Sequence, residues 1–149
     1  MSESTSFIWT PPPELVAQSN LTAFLLAVGE GSYDSLAAKA EEDPAWLMQE
    51  VIKFCEIRFY RQYDEMLDVS RGEAWARWCV GGTTNIVLNG IDKHRATAVW
   101  DQTFLVWEGE DRRERSSMTY RGLDFEVSRL AQGLHDIGIQ RGDVVAIYM

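Results

Sequence analysis

The segment Gly81–Asn85 has residue types that could bind an anion. It reads Gly-Gly-Thr-Thr-Asn and precedes the apolar residues Ile86 and Val87, as a turn before a helix would. Free backbone N–H groups at such a turn, together with the helix dipole, can hold a phosphate group. The segment lacks the spaced second glycine and the lysine of a phosphate-binding P-loop. We therefore favour a capped turn at which two backbone segments pack closely, with the anion site as the alternative.

The other residues that could do acid–base or metal chemistry have no partners at useful spacing. His94 and His135 are the two histidines, and neither has a Cys, His or Glu at metal-ligand spacing. Glu108 and Glu110 lie in a charged stretch that is typical of a solvated loop, where paired carboxylates do not act as acid and base. The sequence therefore predicts no catalytic, cofactor-binding or metal-binding residue in this chain.

Two cysteines and two tryptophans are interpreted as structural. Cys55 falls among apolar residues at helical spacing, which is typical of a reduced core thiol, and neither Cys55 nor Cys79 belongs to a metal or disulfide pattern. Trp75 and Trp78 could stack on a planar ligand. Anchoring a connecting segment to the core is favoured, because tryptophan combines a large area with a single donor.

Composition limits the classes of partner. The chain has 149 residues, of which 46% are apolar, and this suffices for the core of one domain. The formal charge of −9 comes from 23 acids and 14 scattered bases, which excludes a phosphate-tracking nucleic-acid surface and disfavours an anionic membrane surface. No apolar stretch reaches bilayer length, and the N-terminus lacks a signal peptide's basic and apolar regions. We expect a soluble, reduced, cytoplasmic protein.

The first sixty residues predict successive amphipathic helices. One is capped by Ser19 or Asn20 and closed by Gly29. The next spans residues 32–42, and Asp43 then opens the longest of these helices through a first-turn proline. Its apolar positions recur at helical spacing: Met48, Val51, Ile52, Cys55 and Phe59.

The second half of the chain predicts an α/β pattern. Residues 103–108 read as a strand, and residues 116–120 read as its returning partner after a charged turn. A helix begins after Thr119 and ends before Gly138. The apolar run Val144–Met149 is typical of a strand buried on both faces of a parallel sheet, which needs neighbouring strands and covering layers.

Several of these segments resemble one enzyme family. Residues 118–123, the helix end at 134–139 and the run 140–149 resemble the N-terminal region of AMP-forming acyl-CoA synthetases, in the adenylate-forming superfamily. Residues 78–94 and 104–110 are similar to segments of the acetyl-, propionyl- and acetoacetyl-CoA synthetase members. The resemblance is strong over residues 75–149 and weaker over 7–74.

The resemblance implies an α/β fragment. Residues 1–75 would form a helical N-terminal layer. Residues 76–149 would supply a β-hairpin and a strand–helix–strand unit that begin the large AMP-binding domain, truncated at its C-terminus. The family usually has an acid where this chain has Gly122, so the helix that starts at Thr119 should lack a capping box.

The family's ATP-binding motifs do not occur in the 149 residues. These are a Ser/Thr/Gly-rich loop ending in Lys-Gly, an acid for the ribose, an aromatic-Thr-Glu stretch and a C-terminal lysine. The resemblance implies a larger parent enzyme that uses ATP, Mg²⁺ and CoA to act on a short-chain acid. None of these ligands is expected to bind to this chain. This chain alone is expected to be inert, and its partner would be the missing C-terminal remainder.

One alternative from a different class stays open. The chain could be a stand-alone interaction or oligomerisation module, whose exposed apolar faces bind a partner or a second copy. The incomplete-ligase interpretation depends on residues 144–149 belonging inside a sheet whose other strands lie outside this chain.

Overall fold

The computed structural model describes residues 8–111 and 113–148. The chain divides into two compact units, Met1–Thr83 and Thr84–Met149. The mixed α/β class predicted from sequence is confirmed: helices come first, and two small antiparallel hairpin sheets follow. The domain boundary expected between residues 75 and 76 stays a prediction. The division between the two compact units lies eight residues later. The N-terminal residues 1–7, on which the expectation of no signal peptide partly rests, lie outside the described part.

Four helices open the first unit. They begin where the sequence supplies an oxygen acceptor or a proline, which satisfies or removes the free N–H groups of a first turn. Ser19 rather than Asn20 is the cap of the second helix, and its Oγ accepts from the Thr22 N–H at 3.1 Å. The helices are α1 Pro13–Ala17, α2 Asn20–Val28, α3 Tyr33–Glu42 and α4 Pro44–Phe54.

Helix α4 ends earlier than predicted. Glu56 takes a left-handed φ of 51°, and the Ile57 N–H bonds to the Ile52 carbonyl at 2.9 Å. This is the hydrogen bond that closes a helix C-terminus, formed here without a glycine. Cys55 and Phe59 therefore leave the helical face, and Cys55 is an exposed thiol rather than a core one. The prediction failed because spacing alone does not mark a C-terminus that lacks glycine.

A hairpin completes the first unit. Strands β1 Glu65–Asp68 and β2 Arg77–Val80 pair antiparallel, with a 3₁₀ turn at Glu73–Trp75 between them. The core of this unit is small and includes the buried side chains of Phe24, Leu36 and Met66. Phe24 also meets Phe54 edge-on, with ring centroids 5.2 Å apart, and this joins α2 to α4.

Trp75 and Trp78 do not serve as the predicted anchors. Trp75 is 66% exposed and Trp78 is 43% exposed. The turn places Trp75 outside the strand pairing, while Trp78 stands opposite Leu67 in the β1–β2 register. The presence of a tryptophan at a position therefore did not identify that position as buried in this unit.

Asp68 accepts hydrogen bonds from both ends of the hairpin loop. Its carboxylate takes the Ser70 N–H at 2.8 Å and the Arg77 Nη2 at 2.5 Å. The Ser70 side chain and then Arg77 lower the pKa of Asp68 well below its ordinary value, because each bond favours the charged form. The charged carboxylate thus stabilises the closed hairpin.

Strands β3 Thr103–Glu108 and β4 Arg115–Thr119 form the hairpin of the second unit, as predicted. The unit begins with the short helix α5 Ile86–Gly90, followed by 3₁₀ turns at Asp92–His94 and Ala98–Asp101. Helix α6, Tyr120–Asp136, is the longest described helix, whereas α4 is the longest of the four helices in the first unit, as predicted. Its cap is Thr119, and Gly138 at φ 91° lets the Ile139 N–H bond back to Leu134, as predicted.

The start of α6 is fixed to the segment before β3. Arg95 bridges Asp92 at 3.0 Å and Asp124 at 2.5 Å. The Tyr120 ring lies 5.3 Å from both His94 and Phe104, measured between ring centroids. These contacts join the 92–101 segment, the hairpin and α6 into one body.

The predicted terminal strand does not form in this chain. Residues 143–148 have no strand pairing, and Val144 and Tyr148 are 95% and 103% exposed, while Met149 lies outside the described residues. A strand needs a neighbour to satisfy its backbone groups, and neither two-stranded sheet extends to this segment. The expectation of a buried strand is wrong for the chain as it stands, so the incomplete-ligase interpretation takes no support from this segment.

Replacing Gly122 with Glu should stabilise the second unit by about 1 kcal/mol, because it removes glycine's backbone entropy and completes a capping box with Thr119. The Thr119 Oγ1 already accepts from the Gly122 N–H at 3.1 Å, whereas an added Cβ would lie 3.1 Å from Met118 Cγ and displace that flexible side chain slightly. Urea unfolding followed by helical circular dichroism measures the change. Gly133→Ala, with open space at its Cβ, isolates the propensity effect. An equal gain from Gly122→Glu in a Thr119→Val background would contradict the capping-box explanation.

Asp68→Asn should destabilise the first unit at neutral pH. Since the folded pKa of Asp68 is depressed, its contribution is present above the unfolded value of about 3.9 and fades as the pH falls toward the folded value. The difference in unfolding free energy between wild type and Asp68→Asn should therefore shrink below about pH 4. Chemical unfolding between pH 3 and 7 measures this, with Glu65→Gln in the same strand as the control for lost charge. A difference that stays constant across this range would contradict the interpretation.

Candidate functional site

The Gly81–Asn85 candidate spans the end of the first unit and the start of the second. In the first unit, its backbone donors are already used within the fold. The Gly82 N–H bonds to the Cys79 carbonyl at 2.9 Å, and the Thr83 N–H bonds to the Arg61 carbonyl at 2.9 Å. An anion cradle needs such donors directed at the ligand. At Gly82 and Thr83 they are bonded to carbonyls instead.

The charges beside Gly81 also disfavour an anion. The Asp64 carboxylate occupies the place where a Cβ on Gly81 would lie, and Gly81 has a left-handed φ of 80°. Arg61 is the nearby cation, but its guanidinium binds Asp64 at 2.7 Å and the Gly81 carbonyl at 2.5 Å. A phosphate would have to displace the carboxylate from its cation, so this position suits a closed turn.

The close packing around Gly82 explains why this turn has a glycine at that position. A Cβ added to Gly82 would lie 3.0 Å from the Cys79 carbonyl oxygen and 3.1 Å from Tyr63 Cβ. Real Cβ atoms rarely approach other atoms so closely, hence the backbone can pass here only without a side chain. This agrees with the closely packed turn favoured from sequence.

In the second unit, Thr84 and Asn85 organise the start of α5. The Asn85 side chain accepts from the Val87 N–H at 2.8 Å, which makes Asn85 the N-cap. The Thr84 hydroxyl accepts from the Asn89 amide at 2.9 Å. Asn85 thus caps a five-residue helix, and Thr84 bonds to a side chain within that helix.

The two histidines lie in structural settings. The His94 ring packs at a tilt against Tyr120, and the His135 Nδ1 lies 3.7 Å from the Asp136 carboxylate at the exposed end of α6. Within residues 8–111 and 113–148, no group of three or more His, Cys, Asp or Glu side chains could hold a metal ion. The same part of the chain contains no helix long and apolar enough to cross a membrane.

Two open cavities were not predicted from sequence, because residues from separate segments line them. A cavity of about 370 Å³ in the second unit lies among α5, β3 and α6. Its lining is almost wholly apolar and includes Ile86, Phe104, Leu123 and Val127. The other, of about 420 Å³, lies in the first unit beside β1 and β2 and has two glutamates in its lining. The apolar face of α6 is a sequence signal that could have led to the first cavity, whereas no local signal marked the second.

Two family models match consecutive parts of the chain. Residues 33–90 match the model described as the acetyl-coenzyme A synthetase N-terminus, and residues 92–149 match the model described as AMP-binding enzyme. Their order along the chain is the order that the sequence resemblance implied.

Curated relatives agree with the family models. An acetyl-coenzyme A synthetase of Mycobacterium tuberculosis is 34% identical over 152 residues, covering all of this chain and 21% of the relative. Its counterpart in Chlorobaculum tepidum is 33% identical, with the same coverage. The chain belongs to the AMP-forming acyl-CoA synthetases. A third relative, from Methylorubrum extorquens, is 44% identical over 78 residues, which are 52% of this chain and 12% of that protein.

The chain therefore corresponds to a fragment of an adenylate-forming synthetase. It spans about a fifth of the length of the curated relatives that match it end to end. Over that fifth, the described residues form helices, two hairpins and the turns between them.

Gly82→Ala should destabilise the first unit by about 1–3 kcal/mol, the usual cost of overpacking, because the new methyl group meets the Cys79 carbonyl and Tyr63. Thermal or urea unfolding measures the loss. Gly31→Ala is the matched control, since nothing lies within 4 Å of its added Cβ and Gly31 has no left-handed φ. Equal effects of the two substitutions would show that close packing is not the reason for glycine at position 82.

Proposed function

We propose that this chain is a structural part of an acyl-CoA synthetase and carries none of its catalytic groups. The observation on which the proposal rests is the pair of consecutive family matches, over residues 33–90 and 92–149. The closed Gly82–Thr83 turn supports it, because the donors that could have bound a phosphate are bonded within the fold. The role of the chain is then to form the helical layer and to begin the adenylating domain.

The parent enzyme acts on a short-chain carboxylic acid in two steps. The carboxylate attacks the α-phosphorus of ATP to give an acyl-adenylate and pyrophosphate, and the thiol of CoA then displaces AMP. The relatives' name, acetyl-coenzyme A synthetase, supports a small acid such as acetate. Mg²⁺ would neutralise phosphate charge in such a reaction. Among the described residues no cluster of His, Cys, Asp or Glu could hold that metal, and the Gly82 and Thr83 N–H groups are bonded to carbonyls, so none of these steps is assigned to them.

The apolar cavity of the second unit supports a structural role. Ile86 is 86% exposed at its edge, and Phe104 is 46% exposed. Leu130 on α6 is 65% exposed, and Ile137, directly after the end of α6, is 75% exposed. Apolar surface of this kind is typical of a face that another layer covers. The remainder of the synthetase is the partner that we propose for it.

The 149-residue chain should release no pyrophosphate above background when mixed with ATP, Mg²⁺, CoA and acetate or propionate. The expected reason is that the groups for phosphoryl transfer lie outside it. A coupled pyrophosphate assay over a range of acids measures this. Acid-dependent release by the purified chain would overturn the claim that it is inert alone.

A second experiment tests the family role. The coding sequence downstream of the Met149 codon should continue in frame into a Thr-Ser-Gly-Thr-Thr-Gly-like loop, and the full product should form acyl-CoA from a short acid. A stop codon directly after Met149, together with a self-associated chain in sedimentation, would favour the alternative interaction module. A full product that is folded but makes no acyl-CoA would reject the ligase proposal.

A further inference from the structure

The three asparagines of the chain differ in the residue that follows them. Asn20 and Asn85 precede the branched residues leucine and isoleucine, whereas Asn89 precedes Gly90. The side-chain amide of an asparagine can be attacked by the backbone nitrogen of the next residue, and a side chain on that residue hinders the approach. Glycine has no Cβ and adopts backbone conformations that other residues rarely reach. Asn89 is therefore the asparagine whose sequence most favours this reaction.

Two hydrogen bonds hold the Asn89 side chain in the folded structure. Its Nδ2 donates to the Thr84 Oγ1 at 2.9 Å and to the Asn85 carbonyl at 3.4 Å. Because only the amide nitrogen can donate to a carbonyl, the second bond fixes which way the amide is turned. These bonds hold the amide against the start of α5, whereas the attack needs it beside the nitrogen of Gly90.

Helix α5 is short enough to open locally. It has five residues, and the Asn89 N–H reaches the Asn85 carbonyl only at 3.4 Å, which is long for a helical hydrogen bond. A single helical turn is marginally stable by itself. Its last residue, Gly90, is exposed, and nothing lies within 4 Å of a Cβ added there. The end of α5 can therefore unwind while the rest of the unit stays folded.

We infer that Asn89 is a site of intramolecular deamidation, which proceeds when α5 opens and which the Thr84 hydroxyl slows. The backbone nitrogen of Gly90 forms a bond to the Asn89 Cγ, and the bond from Cγ to Nδ2 breaks. The proton of the attacking nitrogen leaves with the amide nitrogen as ammonia. Water then opens the succinimide ring at either carbonyl and gives aspartate or isoaspartate. The chain and water are the only reactants, so no partner has to be identified.

The product of this reaction cannot restore α5. A carboxylate at position 89 faces the Asn85 carbonyl with an oxygen in place of a donor, and isoaspartate also lengthens the backbone and breaks the helical spacing. The next residue, Ile91, is 6% exposed in the core, and its N–H bonds to the Val87 carbonyl at 2.9 Å. Deamidation should therefore destabilise the second unit. The inference does not depend on the proposed ligase activity, because every reacting group lies within residues 84–90.

The test incubates the 149-residue chain at neutral and at mildly alkaline pH and locates each amide-to-acid conversion by tandem mass spectrometry. Asn89 should convert faster than Asn20 and Asn85, with isoaspartate among the products, and faster at the higher pH because the attacking nitrogen must lose its proton. Gly90→Ala should slow the reaction about tenfold, since the added Cβ hinders the attack but fits the fold. Thr84→Val should speed it about fivefold, as expected when one neutral hydrogen bond is lost.

A substitution at the product position tests the consequence for stability. Asn89→Asp should lower the urea midpoint of the second unit. Asn85→Asp adds the same charge within the same turn but keeps the oxygen that accepts from the Val87 N–H, so it should leave the midpoint nearly unchanged. Equal midpoints for the two variants would contradict the expected loss of α5.

Matched controls separate the Thr84 hydrogen bond from a general loosening of the unit. Thr97 caps another turn of the same unit, where its hydroxyl accepts from the Val99 N–H at 3.3 Å, so Thr97→Val should leave the rate at Asn89 unchanged. In urea, wild type and Thr84→Val should deamidate equally fast, and both faster than the folded wild type. Equal rates at the three asparagines, equal acceleration by Thr97→Val, a Thr84→Val effect that persists in urea, or aspartate without isoaspartate would each overturn the inference.

Discussion

Backbone groups that must find a hydrogen-bond partner determine where each element of this chain begins and ends. The Gly82 and Thr83 N–H groups find carbonyls inside the turn, so the turn closes on itself. The Ile57 N–H bonds to the Ile52 carbonyl, and α4 ends at Phe54. Residues 143–148 have no neighbouring strand, so they stay unpaired although their side chains are suited to a sheet. One constraint thus accounts for a closed turn, a shortened helix and an unformed strand.

Elements whose signals are local were predictable from sequence. Ser32, Asp43 and Thr119 cap helices where an acceptor side chain precedes an apolar pattern, and Gly138 closes α6 as expected. Features that depend on distant residues were not predictable. Cys55 lies outside α4 because Glu56 ends the helix without glycine, and Trp75 is exposed because burial depends on what the fold brings near it. The cavity beside β1 and β2 was missed for the same reason, since its lining residues Glu41 and Glu73 are far apart in sequence.

Family membership is compatible with the finding that no metal-binding cluster occurs among the described residues. Motifs that identify a family can lie in packing elements, such as the start of α6, while the groups that bind nucleotide lie elsewhere in the protein. Resemblance over residues 75–149 pointed to the family, yet the described residues of that range contain no group of three or more His, Cys, Asp or Glu side chains that could hold a metal ion. Fold and chemistry are carried by separable parts of such an enzyme.

Because salt bridges of Arg95 attach α6, the stability of the second unit depends on the salt concentration. Asp92 and Asp124 are held by a guanidinium that is itself 52% exposed, so dissolved ions can compete for it. The contact between the Tyr120 and Phe104 rings involves no ion pair and persists in concentrated electrolyte. At high salt concentration the aromatic contact at the start of α6 would persist while the salt bridges of Arg95 weaken. The C-terminal end of the helix would then become more mobile.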